Sequence, residues 1–101
     1  MFRIHPISCL ILFLALVFVS TNLNATEKQR VLMLASPCAG CHGPDGKSPD
    51  VIPSLTGKSP QYISMMMKAY KSGARQATVM NRIAKGYSSK EIELISQAFK
   101  K

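Results

Sequence analysis

A chain of 101 residues with 13 Lys and Arg against 5 Asp and Glu, a formal charge of +8, has room for one small domain and excludes a multidomain enzyme. The basic residues are spread along the chain and no basic run is interleaved with aromatic side chains, which sets nucleic-acid binding aside. There is no internal repeat or low-complexity tract and no segment that reads as a β-strand, so the expected class is all-α.

At the N-terminus Arg3 supplies a positive charge, residues 7–19 are apolar apart from Ser8 and Cys9, and Leu23-Asn24-Ala25 puts a small residue before Thr26. This layout predicts a secretory signal peptide over residues 1–25, cleaved after Ala25, and hence a periplasmic protein. The apolar run falls short of the roughly 20 residues that span a bilayer, so no stable membrane insertion is expected unless the leader stays uncleaved as an anchor. Cys9 lies at the start of the apolar run and not at its end, so it does not read as a lipidation site. Residues 26–101 then form the domain. Domains of this size bury too little apolar surface to be comfortably stable and usually rely on a disulfide, a metal or a cofactor.

Thr26 with Gln29 three residues on fits a capping box and predicts a helix to about Ala35, with Val31, Leu34 and Ala35 on one face. Ser36-Pro37 ends it, because a residue before proline avoids the helical region. Residues 38–58 carry Gly40, Gly43, Pro44, Gly46, Pro49, Pro53 and Gly57 and read as loop. A second helix starts with Ser59 as cap and Pro60 at its first position. Ile63, Met66, Met67 and Tyr70 form its apolar stripe, and Gly73 ends it. Residues 74–87 read as loop with a short helical turn near 81–85. Ser88 and Glu91 form a second capping box, opening a helix with Ile92, Ile95 and Phe99 on one face.

Past the leader, which takes His5 and Cys9, the remaining thiols and imidazole sit in five consecutive residues, Cys38-Ala39-Gly40-Cys41-His42. Cys-x-x-Cys-His is the attachment motif for c-type haem. Two thiols so spaced can add to the two haem vinyl groups, and the histidine that follows is held under the iron as an axial ligand. A thioredoxin-like dithiol would need a βαβ setting, and closed structural zinc needs four N or S ligands where three remain. A plain disulfide is the third competitor. Haem accounts best for the residues, for the leader and for the small size.

The sixth ligand would decide what the haem does. Methionine raises the reduction potential and suits an electron carrier. Met33, Met65, Met66, Met67 and Met80 are candidates. Helix-face methionines are more often core filler, and Met66 and Met67 fit the second helix's stripe. Met80 lies in a loop able to wrap to the opposite haem face, which makes it the first candidate, with residues 65–67 next.

The sequences Cys38-Ala39-Gly40-Cys41-His42-Gly43, Ile52-Pro53-Ser54-Leu55 and Met80-Asn81-Arg82-Ile83-Ala84-Lys85-Gly86-Tyr87-Ser88 carry a family resemblance. From about residue 32 to 99 the chain resembles the small class I cytochromes c. It is most like the single-haem c553 kind and the cytochrome subunits of flavocytochrome c sulfide dehydrogenase. The resemblance implies a cytochrome c fold, three to four short helices wrapped around one covalently bound haem c. It implies Cys38 and Cys41 as covalent anchors, His42 and Met80 as axial ligands, and the Pro53 carbonyl as the acceptor that orients His42. Two departures stand out. Asn81 replaces a glycine common after the ligand methionine, and asparagine tolerates unusual backbone angles. The chain also has room for one haem, where some sulfide dehydrogenase cytochrome subunits carry two.

The function implied is a non-catalytic electron carrier cycling between Fe(II) and Fe(III). The alternative is the electron-accepting subunit of a sulfide-oxidising flavoprotein. A ligand-binding or peroxidase-like haem protein would need an open sixth site. The basic surface would speed encounter with acidic redox partners through electrostatic steering.

Overall fold

The computed structural model describes residues 24–100, together with Ile11. The rest of the expected leader, with His5 and Cys9, lies outside the described residues. The described chain is helical, with no β-strand among the described residues and no helix long and apolar enough to cross a membrane.

The first helix, α1, covers residues 24–35. It is already formed at Asn24, so Thr26 lies inside it and not at its cap. Ala25, the best helix former, continues the turn and no Gly or Pro interrupts it. Its inner face carries the half-buried Val31 and Leu34 and the buried Ala35.

Beyond α1 the structure corrects the expected loop. A 3-10 turn at Ser36–Cys38 leads directly into a four-residue helix, α2, at Ala39–His42. Pro37 stands in the first turn of a new helical segment, where its missing N–H costs nothing, so it redirects the chain without ending the helical path. A further 3-10 turn at Pro44–Gly46 follows Gly43. Of the stretch expected as loop, Lys47 to Lys58 stay irregular.

The second half follows its sequence signals. Helix α3, Pro60–Ser72, opens with the Ser59 hydroxyl accepting from the Tyr62 N–H at 3.1 Å and closes at Gly73 in the left-handed region. The short helix α4 is Met80–Lys85. Helix α5, Ser89–Gln97, begins with a complete capping box: the Glu91 N–H donates to the Ser88 hydroxyl and the Ser88 N–H to the Glu91 carboxylate. The Ser88 N–H first, and the Ser88 hydroxyl second, hold the Glu91 carboxyl below the usual carboxylate range.

Helix α3 packs against α4 and α5. Their apolar faces meet in a core of Ala35, Ile63, Met67, Ala84, Ile92, Ile95 and Phe99, with Ile92 and Ala84 fully enclosed. At the outer edge of the α3–α5 contact Ser64 donates to Glu93 at 2.8 Å and Lys68 pairs with the same carboxylate, which holds Glu93 below its ordinary pKa. On the other side Lys71 donates to the Tyr87 carbonyl, tying α3 to the corner between α4 and α5.

Candidate functional site

The 3-10 turn and α2 place Cys38, Cys41 and His42 on one helical path. Spacings of three and four residues bring their side chains to the same side of a single turn. Neither thiol is in a disulfide. Cys38 is half-buried and rests on the core, and burial pushes its thiol pKa up against a smaller opposing effect of a backbone hydrogen bond. Cys41 is exposed. Tyr87 also packs on the core, where burial raises its phenol pKa first and the nearby charges of Cys38 and Glu91 raise it further.

Gly43 turns the chain sharply after His42. Its φ is +84°, and a Cβ there would stand 2.1 Å from the Lys47 carbonyl oxygen. Gly46, buried and also at positive φ, accepts from the Leu55 N–H at 2.7 Å and the Thr56 N–H at 3.1 Å. The Ser48 N–H donates to the Ser54 hydroxyl at 2.9 Å. These bonds close residues 47–54 into a loop that doubles back on α2. As a result the Pro53 carbonyl accepts a 2.6 Å hydrogen bond from the Nδ1–H of His42. That bond selects the tautomer whose Nε2 carries the lone pair, the form in which a histidine binds a metal.

Met80 is the first residue of α4 and is half-buried. Of the other methionines, Met67 belongs to the core, Met66 is half-buried, and Met33 and Met65 are 67% and 58% exposed. Asn81 does not sit at unusual backbone angles. Among the described residues only Asp45 combines a side chain with positive φ. The Asn81 amide instead makes three hydrogen bonds, accepting from the Ala77 N–H at 2.6 Å and donating to the carbonyls of Arg75 at 2.7 Å and Tyr70 at 3.0 Å. Sequence reading missed this role and the steric roles of Gly43 and Gly46. The turn-forming run Gly43-Pro44-Asp45-Gly46 carried a signal for the glycines. Nothing in the sequence marks the partners of Asn81.

The donor set is two free thiols and one imidazole oriented by the Pro53 carbonyl. Large apolar side chains stand exposed beside it and beside Met80: Val51 and Ile52 next to Pro53, Val79 and Ile83 on either side of Met80. A flat apolar ring attached through the thiols would cover surface of this kind, so the residues fit haem.

No protein-family model matches the chain. It is 54% identical over 67 residues to the cytochrome subunit of sulfide dehydrogenase from Chlorobaculum tepidum, a match covering 66% of this chain and 61% of that one. It is 39% identical over 59 residues to cytochrome c-554(548) from Halomonas halodenitrificans, covering 54% of this chain and 71% of that one. The chain belongs to the c-type cytochromes. Cytochrome c4 from Azotobacter vinelandii, 35% identical over 65 residues, matches 58% of this chain through 31% of its own length. These cytochromes carry haem c covalently, and Cys38 and Cys41 fit its attachment motif. Membership of the c-type cytochromes indicates a part in electron transfer.

Proposed function

We propose that this cytochrome is an exported, periplasmic single-haem electron carrier, anchored through Cys38 and Cys41, with His42 and Met80 as axial ligands. When bound, haem c supplies a one-electron Fe(III)/Fe(II) couple. The observation that carries the reading is the 2.6 Å hydrogen bond from His42 to the Pro53 carbonyl. It holds the imidazole in one tautomer and one orientation, with Nε2 available as a donor. Pro53 thus acts on the ligand and not on the iron.

For the sixth ligand, support for Met80 comes from its place at the start of α4 with its flanking residues Val79 and Ile83 exposed, while Met67 is committed to the core. A soft thioether favours Fe(II) and so raises the potential. Export rests on the leader pattern of residues 1–25, with residues 26–101 as the cytochrome domain. The excess of basic residues suits brief encounters with acidic redox proteins, where association rate matters more than tight binding.

Purification of the full-length gene product from periplasm, with a mass and a visible spectrum, tests this reading. The expected results are a mass corresponding to residues 26–101 plus one haem and, in the ferric protein, the weak red-edge band of methionine-ligated haem. Persistence of that band in Met80→Ala would overturn Met80 as the ligand.

The relative at 54% identity favours a second reading, in which the chain is the electron-accepting subunit of a sulfide-oxidising flavoprotein. Co-purification with a flavoprotein that reduces this cytochrome when given sulfide supports it. A monomer without a stable partner supports the free carrier.

A further inference from the structure

Every residue from Gly73 to Val79 is exposed, so no apolar packing holds the segment that leads into Met80. Val79, the cap residue of α4, contributes no side-chain capping bond. The segment is held by hydrogen bonds, and three bonds around it converge on one side chain. The Asn81 amide uses both of its protons, on the carbonyls of Tyr70 and Arg75, and its oxygen takes the proton of Ala77. The Arg75 N–H adds a 3.2 Å bond back to the Ala69 carbonyl. Tyr70 and Ala69 belong to α3, whose Ile63 and Met67 are fixed in the core. The amide, together with the Arg75 N–H, therefore transmits the position of the core to a loop that no apolar packing anchors.

The geometry points to Asn81 as the positioning residue that holds Met80 on the iron, an inference that rests on the reading of Met80 as axial ligand. Met80 lies in the chain between Ala77 and Asn81, and one hydrogen bond links those two residues. With both flanks fixed, the Met80 backbone has little freedom, and its thioether is held ready at small entropic cost. The need is specific to asparagine. Aspartate can accept from Ala77 but, ionised, cannot donate to the two carbonyls, and alanine can do neither. Asparagine at this position therefore works through its hydrogen bonds, where glycine would offer only backbone freedom.

The test uses the full-length haem-loaded protein and four variants: Asn81→Asp, Asn81→Ala, Ser88→Ala and Met80→Ala. Ser88→Ala removes the α5 cap and so destabilises the fold at a site away from the loop. Two readouts are taken at neutral pH. One is the intensity of the methionine–ferric-haem band relative to the main haem band. The other is the rate at which the reduced protein binds carbon monoxide, which requires the sixth ligand to leave. We expect Asn81→Asp and Asn81→Ala to lose most of the band and to bind carbon monoxide about ten-fold faster or more, the change expected for losing one or two net hydrogen bonds. Ser88→Ala should keep both readouts at wild-type values while its melting temperature falls. Asn81→Asp, close to asparagine in shape, supplies the answer if Asn81→Ala does not fold. An undiminished band and a carbon monoxide rate within about two-fold of wild type in the Asn81 variants would overturn the inference. The same loss in Ser88→Ala would also overturn it, reducing the effect to general destabilisation. A wild-type protein without the band, or Met80→Ala retaining it, would instead overturn the reading of Met80 on which the inference stands.

Discussion

Around His42 the chain is held mainly by its own backbone, whereas ahead of Met80 three hydrogen bonds run to one side chain, that of Asn81. Two glycines at positive φ, with carbonyls and N–H groups bonding one another across residues 43–56, close the loop that brings Pro53 to His42. On the Met80 side the exposed segment 73–79 depends on the amide of Asn81. A backbone-built turn can be ruined by adding atoms, because the space for them is filled. A side-chain-built loop is sensitive to removing them. On the proposed ligation, the first arrangement would suit a ligand beside covalent anchors and the second a more weakly bound thioether.

The sharpest way to break the comparison is at Gly46. A Cβ there would stand 2.6 Å from the Phe99 ring and 3.1 Å from the Leu55 Cβ, at a φ of +72° that side chains rarely adopt. Phe99 belongs to the core, so it cannot yield without opening the contact of α5 with the rest of the fold. Gly46→Ala should therefore cost about 3 kcal/mol or more, combining overpacking with backbone strain. Thermal unfolding of the haem-loaded protein checks this. A loss below about 1 kcal/mol would show that the His42 side tolerates added atoms after all.

Much of this division could be read from the sequence, but unevenly. Local signals gave the caps of α3 and α5: Ser59-Pro60, Gly73, and Ser88 with Glu91 each satisfy a backbone group within three or four residues of themselves. The core positions Ile63, Met67, Ile92, Ile95 and Phe99 followed from helical spacing. Thr26 misled because a capping pair also occurs inside helices, and the helix around it was already under way at Asn24. The loop expected from residue 38 misled because Pro37 looks alike as a terminator and as the first turn of a new helical segment. What stayed hidden is non-local. Gly46 must be glycine because of Phe99, far along the chain, and Asn81 matters through the carbonyls of residues 70 and 75. No spacing rule encodes partners that meet only once the helices have packed.

Amide hydrogen exchange sharpens the comparison without any mutation. The Leu55 N–H donates to the carbonyl of the buried Gly46, inside the region locked by Phe99. The Ala77 N–H donates to the Asn81 side chain within an exposed segment. Releasing Ala77 needs only a local opening, whereas releasing Leu55 requires most of the fold to open. Leu55 should exchange about 100-fold more slowly than Ala77 or slower still, a gap of roughly 2.7 kcal/mol in opening free energy. Equal protection would mean that the segment before Met80 is as firmly built as the turn after His42.

The smallest expected effect lies at the α3–α5 edge, away from both loops, and it carries a sign in pH. Glu93 accepts from Lys68 first and Ser64 second, and these bonds hold its carboxyl below the ordinary value. A group whose folded pKa is lowered contributes stability that is fully present above its unfolded pKa and is lost as pH falls through the folded value. The pair should thus help the fold at neutral pH and stop helping in the acid range below the usual carboxylate pKa. Both side chains are about half-exposed, so solvent and salt weaken the contribution. Lys68→Met should consequently lower the melting temperature slightly at neutral pH and by less at low pH, with the difference shrinking in high salt. A melting-temperature difference from wild type that grows as pH falls would reverse the sign and show that Glu93 is not the group responsible. Because this edge touches neither the Gly46 turn nor the Asn81 amide, the exchange gap between Leu55 and Ala77 should survive the substitution, which separates the stability of the helix pair from the two ways its loops are held.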